Sequence, residues 1–176
     1  RSRSLSVVHT SLPRPAPGDR IGLLAGSGRF PIDFARSARA QGYEVFGLGV
    51  AGMASDELAD HCDEYVPTSI ARVGRAVRLF QQAGVSQAVM AGKIDKTLFF
   101  KNSVLWQLWN FLPDWRTIQM FWRYRTKAKN DDAVLLFIID EFARDGIHFE
   151  SALDFCPELL VSHGFLTSRQ PSPKQW

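Results

Sequence analysis

The chain has little cysteine and no long apolar run. Its 176 residues include only Cys62 and Cys156, whose spacing matches neither a zinc-binding motif nor a disulfide framework. We interpret both as ordinary, semi-buried thiols of a reduced compartment. No segment reaches the roughly 18 consecutive apolar residues of a membrane-spanning helix, and residues 1–19 lack the apolar centre of a secretory signal. We therefore expect a cytoplasmic protein without a transmembrane helix.

Common catalytic motifs are also missing. The sequence contains no Walker, G-x-S-x-G or H-E-x-x-H pattern, and its four histidines have no metal-ligand spacing to one another. We therefore assign no metal site within this chain. The net charge of +3 and the pI of about 9.1 suit an anionic ligand, but they are too weak to indicate a nucleic-acid partner.

Alternating strand and helix signals fill the first half of the chain. Short apolar runs typical of buried strands alternate with predicted helices, two of which end at glycine. The strands are predicted at 20–26, 43–50, 63–68 and 85–92, and the helices at 31–42, 55–62 and 69–84. This β-α-β-α-β-α-β order predicts an α/β fold, with a mostly parallel sheet flanked by helices.

An aromatic-rich helical segment is predicted after the fourth strand. Residues 96–129 carry four of the five tryptophans, and Pro113 divides them into two predicted helices. We favour a core role for these aromatics, with part of the surface left for a hydrophobic ligand. A partner surface and a lipid-facing surface are the alternatives. A further helix at 131–146 and a fifth strand within 147–155 complete the pattern.

Two loops at predicted strand ends are the candidate binding elements. Ligands of parallel sheets lie beyond the carboxyl ends of the strands. Gly26, Ser27, Gly28, Arg29 and Phe30 join the first strand to a helix that begins at Pro31, which fits a phosphate cradle or, equally, a tight turn.

The second loop contains Gly92 and Lys93 and follows the fourth strand. A lysine just beyond a parallel strand is well placed to reach an anionic ligand. A solvated loop lysine is the alternative.

A dinucleotide site is the weaker interpretation of the glycine loop. Pro31 occupies the position where the dinucleotide fingerprint needs its third glycine. The second strand ends without the acid that would hold the ribose, since the first carboxylate after it is Asp56. An NAD-dependent enzyme therefore remains only a minor alternative.

Asp131 and Asp132 begin the last long helix. Paired carboxylates can bind Mg²⁺ beside a phosphate. Acids in the first turn also complement the helix dipole, and from the residues alone we favour that structural role.

Five motifs in order carry a family resemblance that covers about residues 20–171. The chain resembles the N-terminal domain of the UDP-2,3-diacylglucosamine pyrophosphatases of the lipid A pathway, of the type unrelated to calcineurin-like phosphoesterases. The motifs are IGLLAGSGRFP, QAVMAGKIDK, LPDWRT, NDDAVLLFIIDEFARDGI and FCPELLVSHGFLTSRQP.

Residues 1–19 are dominated by Ser, Arg and Pro without periodicity, which predicts a flexible tail. The resemblance implies a Rossmann-like domain over residues 20–165, followed by a linker at 166–176. It implies a Mg²⁺-dependent hydrolase that cleaves its UDP-linked diacylated glucosamine lipid to 2,3-diacylglucosamine 1-phosphate (lipid X) and UMP. It further implies peripheral association with the inner membrane surface, and a homodimer is also considered.

The family's catalytic residues are expected in a C-terminal domain that this sequence lacks, so we expect the chain alone to be inactive. The residues expected to bind substrate are Gly26, Ser27, Gly28, Arg29, Phe30, Gly92, Lys93, Asp131 and Asp132. A non-catalytic nucleotide- or lipid-binding module is the alternative function.

Overall fold

A five-stranded parallel sheet is the centre of the fold. The computed structural model describes residues 13–69, 71–93, 112–124 and 131–159. The strand order is β3-β2-β1-β4-β5, and every neighbouring pair is parallel. The strands are β1 (Arg20–Ala25), β2 (Glu44–Val50), β3 (Glu64–Thr68), β4 (Gln87–Ala91) and β5 (His148–Glu150). The predicted α/β fold is confirmed, and the order reverses between β1 and β4.

Helices cover both faces of the sheet. They are α1 (Phe30–Ala40), α2 (Val73–Gln82), α3 (Trp115–Tyr124), α4 (Asp131–Ala143) and α5 (Ala152–Phe155). Two 3-10 helices lie at Asp56–His61 and Pro157–Leu159. Ser55 caps the first of these by accepting a hydrogen bond from the Glu57 N–H. The predicted helix at 55–62 is therefore a 3-10 helix.

Alternating residues of the strands feed two separate cores. On one face, Ile21, Leu23 and Ala25 of β1 pack with α1, the Asp56–His61 helix and α5. On the other face, Phe80 of α2 and Phe142 of α4 pack with a ring-centroid separation of 6.0 Å. Each large apolar side chain buried in this way contributes about 1.5–3 kcal/mol to folding.

Residues 13–19 contact the start of the sheet. The Gly18 N–H donates to the Gly42 carbonyl (2.8 Å), and the Gln87 side-chain amide donates to the Pro13 carbonyl (2.8 Å). These residues belong to the predicted tail. The rest of that tail, residues 1–12, and the predicted linker at 166–176 lie outside the described residues.

The aromatic helix α3 differs from the core interpretation. Trp115 and Trp122 have 72% and 62% of their surface exposed, whereas Met120 on the same helix packs against the α2–α4 core. The prediction that this segment is mainly core is therefore wrong for these two tryptophans. The other helix predicted in the segment lies outside the described residues.

Candidate functional site

The loops after β1 and β4 form one connected structure. The Gly26 N–H donates to the Ala91 carbonyl (2.9 Å) and the Ser27 N–H donates to the Lys93 carbonyl (2.9 Å). In return the Lys93 N–H donates to the Ser27 carbonyl (2.8 Å), and the Ser27 hydroxyl also donates to the Lys93 carbonyl (2.8 Å). The sheet therefore brings together two of the predicted binding elements at the point where strand order reverses.

Gly26 and Gly92 make this close approach possible. A Cβ atom on Gly26 would lie 2.6 Å from the Lys93 carbonyl oxygen, and one on Gly92 would lie 2.7 Å from the Ser27 carbonyl oxygen. Gly92 also has a φ of +89°, which side chains other than glycine rarely adopt. Both glycines thus have a structural role in joining the loops.

Gly28, Arg29 and Phe30 form the open part of the loop. Gly28 has a φ of +104°, and no atom lies within 4 Å of the position its Cβ would take. Arg29 is the N-cap residue of α1, and no side chain caps this end of the helix. Among the described residues, no acceptor is seen for the N–H groups of Gly28, Arg29 and Phe30. Such amides at a helix N-terminus can bind an anion.

The charges near this loop are exposed. The Arg29 side chain is 68% exposed and lies 3.6 Å from the Asp33 carboxylate, which offsets part of its charge. Lys93 is exposed, and its backbone is held beside Ser27. Water and salt screen exposed charges. The backbone N–H groups of Gly28, Arg29 and Phe30 are therefore the main groups that could orient a bound anion.

Asp131 and Asp132 are the first two residues of α4. α4 is followed by β5, and β5 is parallel to β4. The N-terminus of α4 therefore lies towards the carboxyl edge of the sheet, and the helix runs from there to the edge where β5 begins. The side chains of Asp131 and Asp132 lie outside the described part of the chain. The proposed contact with a ligand or Mg²⁺ therefore stays a prediction.

The N-terminus of α2 is closed, in contrast to that of α1. The Val73 N–H donates to the Thr117 hydroxyl (3.0 Å), and the Arg75 N–H donates to Asp114 Oδ2 (2.9 Å). Asp114 Oδ1 accepts from the Thr117 N–H (2.8 Å), so one carboxylate caps both α2 and α3. The sequence interpretation missed this role, although aspartate at the start of a helix is a known capping signal.

The end of β2 is filled by protein side chains. A Cβ atom on Gly47 would lie 2.7 Å from Cys62 Sγ, and one on Gly49 would overlap the Tyr65 hydroxyl oxygen. Burial raises the pKa of Tyr65, and Asp56 and Cys62 nearby raise it further. β2 ends at Val50 without a carboxylate, as the sequence indicated, which disfavours a ribose-binding site at this edge.

A buried ion-pair cluster fixes α3 against α4. The Glu141 carboxylate is 6% exposed and lies within 3.5 Å of Arg116, Arg123 and Arg144. Arg116 also pairs with Asp145. Burial disfavours the charged form of Arg116, but its hydrogen bonds to Asp145 and Glu141 dominate and raise the pKa. The cluster is structural, since its carboxylate is already paired.

The described residues do not form a metal site. In the described ranges, no group of three or more histidine, cysteine, aspartate or glutamate side chains could hold a metal ion. No metal-dependent step is therefore derived for this chain. Among the helices that the structure describes, none combines the length and hydropathy of a membrane span.

The strand order and the open helix terminus define a Rossmann-like α/β domain with a candidate anion-binding loop. The sequence model of the LpxI N-terminal domain matches residues 20–159, and the chain belongs to this family.

One curated protein is similar in sequence to this chain. UDP-2,3-diacylglucosamine pyrophosphatase LpxI of Caulobacter vibrioides is 26% identical over 158 residues. The alignment covers 88% of this chain and 52% of the relative, so the chain spans about half the length of that protein.

Two NAD-bound enzymes are among the solved structures that are similar to this chain. The Bordetella bronchiseptica enzyme WbmH in complex with NAD+ is 13% identical, with a TM-score of 0.43 over 76% of this chain and 55% of its own. A UDP-glucose-4-epimerase from Stenotrophomonas maltophila, with bound NAD and formylated UDP-arabinopyranose, is 12% identical, with a TM-score of 0.37 over 73% and 35%. The fold assignment rests on the strand order of the sheet itself.

Proposed function

We propose that this chain is the substrate-binding half of a hydrolase that cleaves the pyrophosphate of UDP-2,3-diacylglucosamine. The products would be UMP and 2,3-diacylglucosamine 1-phosphate, as in the lipid A pathway. Membership of the LpxI N-terminal domain family supports the substrate class. The open N-terminus of α1, beside the joined Ser27 and Lys93 backbones, is the observation that carries the proposal.

The glycine loop would hold the substrate's phosphates in this proposal. The amides of Gly28, Arg29 and Phe30 would donate to phosphate oxygens, and the positive end of the α1 dipole would favour the same charge. Lys93 would add a cation from the neighbouring loop. Gly92 would act indirectly, by letting the two loops approach each other.

Hydrolysis would require the catalytic residues that we expect in the C-terminal domain of the longer enzyme. Mg²⁺ is proposed as the cofactor of the longer enzyme, where it would neutralise developing charge on the phosphates. We expect this chain alone to bind the nucleotide and to release no UMP. The protein would work in the cytoplasm, at the inner membrane surface where a diacylated substrate resides, and a homodimer is a further proposal.

Titration of the chain with UDP tests the binding role. We expect saturable binding that weakens about 3–10-fold in Lys93→Ala, because a charge-assisted hydrogen bond at an exposed site is worth about 1 kcal/mol. Arg36→Ala removes an exposed cation from the same helix α1, away from the loop, and should leave the affinity unchanged. If the two substitutions change the affinity for UDP equally, Lys93 does not belong to the binding site.

UMP release tests the enzymatic role. The assay uses the protein encoded by the whole reading frame that contains this chain, with the lipid substrate and Mg²⁺. Release of UMP that declines in the Lys93→Ala variant is the expected result. A protein that binds UDP but never releases UMP would instead favour the second candidate, a non-catalytic nucleotide- or lipid-binding module. That candidate rests on the same open N-terminus of α1, which could bind an anion without hydrolysing it.

Competition with NAD tests the remaining alternative. Saturable NAD binding that UDP does not displace would revive the dinucleotide interpretation. We expect no such binding, because β2 ends without a ribose-binding acid and Tyr65 lies against Gly49.

A further inference from the structure

One face of α3 exposes large aromatic side chains. Trp115 and Trp122 are seven residues apart, which places them about two turns and 10 Å apart on the same side of the helix. Leu112, just before the helix, is 51% exposed. We name Leu112, Trp115 and Trp122 the tryptophan face.

Three side chains of α3 hold the helix against its neighbours, so the exposure of the tryptophan face is built into the fold. Thr117 hydrogen bonds to the start of α2, and Arg116 pairs with Glu141 of α4. Met120 packs into the core between these helices. The helix therefore presents its tryptophans outward from a fixed position.

The surrounding sequence is strongly basic. Residues 96–130 contain seven lysines and arginines and one acid, whereas the rest of the chain contains fourteen basic and seventeen acidic residues. The single acid is Asp114, whose carboxylate is already used to cap α2 and α3. The same segment holds nine of the twenty-one aromatic residues.

Tryptophan beside lysine and arginine is the composition of surfaces that lie in a membrane interface. The indole rings enter the headgroup region, and the cations are attracted to anionic lipids. A protein partner would have to supply an acidic rim around an apolar centre, whereas an anionic bilayer supplies both features at once.

We propose that the tryptophan face docks onto the surface of an anionic lipid bilayer. The proposal names the contact surface for the membrane association proposed above. It does not depend on hydrolysis, so it can succeed or fail separately from the enzymatic assay.

An environment-sensitive dye reports the contact directly. Gln119 is exposed and lies between the two tryptophans along α3, and the chain's two native cysteines are buried. A dye on Gln119→Cys should shift to shorter wavelength on adding phosphatidylglycerol–phosphatidylcholine vesicles. The matched control is Asp60→Cys, on the helix that packs against the other face of the sheet. Equal shifts at both positions, or no shift at Gln119→Cys, would overturn the proposal.

Vesicle co-sedimentation measures the strength of docking. Binding to phosphatidylglycerol-containing vesicles should exceed binding to phosphatidylcholine alone, by about fivefold for each basic residue at the surface. The Trp115→Ala/Trp122→Ala variant should bind at least about tenfold more weakly, since two aromatic side chains no longer leave water. Leu153→Ala, on the opposite face of the sheet, should bind like the wild type.

Two other results would contradict the proposal. Undiminished binding of the double tryptophan variant would show that another surface docks. A dye shift at Gln119→Cys that grows with protein concentration in the absence of vesicles would show that a second copy of the chain covers this face.

Discussion

Gly92 is the position where the two candidate loops tolerate least change. Its φ is +89°, and an added Cβ would meet the Ser27 carbonyl oxygen at 2.7 Å and Pro31 Cγ at 2.9 Å. The residue thus combines a conformation that favours glycine with a contact that leaves no room for a side chain.

Gly92→Ala should lower the free energy of unfolding by about 2–4 kcal/mol, because backbone strain and overpacking add. Urea denaturation measures the change. Gly18→Ala is the matched control, since Gly18 has a similar φ of +97° but no atom within 4 Å of its Cβ position. The Gly18→Ala substitution should lower the free energy of unfolding by about 1 kcal/mol, because it introduces backbone strain without overpacking. Equal losses would show that the loop contact contributes nothing.

Cys62 is a buried thiol whose pKa is raised to about 11. Burial is the main cause, Asp63 raises it further, and Arg39 acts in the opposite direction. The folded-state pKa lies above the unfolded value of about 8.5. The neutral Cys62 thiol therefore makes its full contribution to the free energy of unfolding below about pH 8.5. That contribution is lost as the pH rises through about 11.

Alkylation with iodoacetamide tests this assignment. Because its pKa is raised, Cys62 is protonated at pH 8 in the folded protein, so labelling should be far slower than in urea. Mass spectrometry of the peptide that contains Cys62 gives the rate. Rapid labelling of the folded protein at this pH would contradict the burial of the thiol.

At the scale of helices, Asp114 joins two elements that are distant in sequence. Its carboxylate accepts from the N–H of Arg75 in α2 and from the N–H of Thr117 in α3. A Cβ atom on Gly74 would lie 2.8 Å from Asp114 Oδ2, so Gly74 lets the cap reach α2.

Asp114→Ala should destabilise the protein by more than the loss of one helix cap would, because each cap contributes about 0.5–2 kcal/mol and this substitution removes two. Asp114→Asn keeps one acceptor oxygen and should fall between this variant and the wild type. Thermal unfolding of the series measures the order. Asp60→Ala, at an exposed position, should change stability by less than about 0.5 kcal/mol. An alanine variant as stable as the Asp60 control would exclude the capping role.

The start of α2 shows where prediction from the sequence stopped short. Helical periodicity placed the helix over residues 69–84, whereas the structure begins α2 at Val73. Local residues do not set that boundary, because the caps come from Asp114 and Thr117, about forty residues later. The C-terminal ends of the helices were easier to predict from the sequence. Gly42, Gly84 and Gly146 follow these ends with a positive φ and local hydrogen bonds.

At the scale of the whole molecule, the charges are unevenly distributed. The basic, aromatic-rich stretch at 96–130 is attached to a domain whose remaining residues carry an excess of acid. The candidate anion-binding loop lies between β1 and β4, and α3 packs beside α2 on one face of the sheet. Substrate binding and membrane docking are therefore proposed for different parts of the same domain, and variants can separate them.

The sequence by itself determined the order of strands and helices, and with it the parallel sheet. That information is local: apolar runs, helical periodicity and glycine stops act over a few residues each. It also located both candidate loops, because ligands bind beyond the carboxyl ends of parallel strands.

Only the tertiary structure decided how those parts meet. It paired Ser27 with Lys93, which are 66 residues apart, and it used Gly26 and Gly92 to bring the loops together. It closed the N-terminus of α2 with Asp114, left that of α1 open, and turned Trp115 and Trp122 outward. These outcomes depend on contacts between distant segments, which no local pattern specifies, because the same residues suit either a buried or an exposed position.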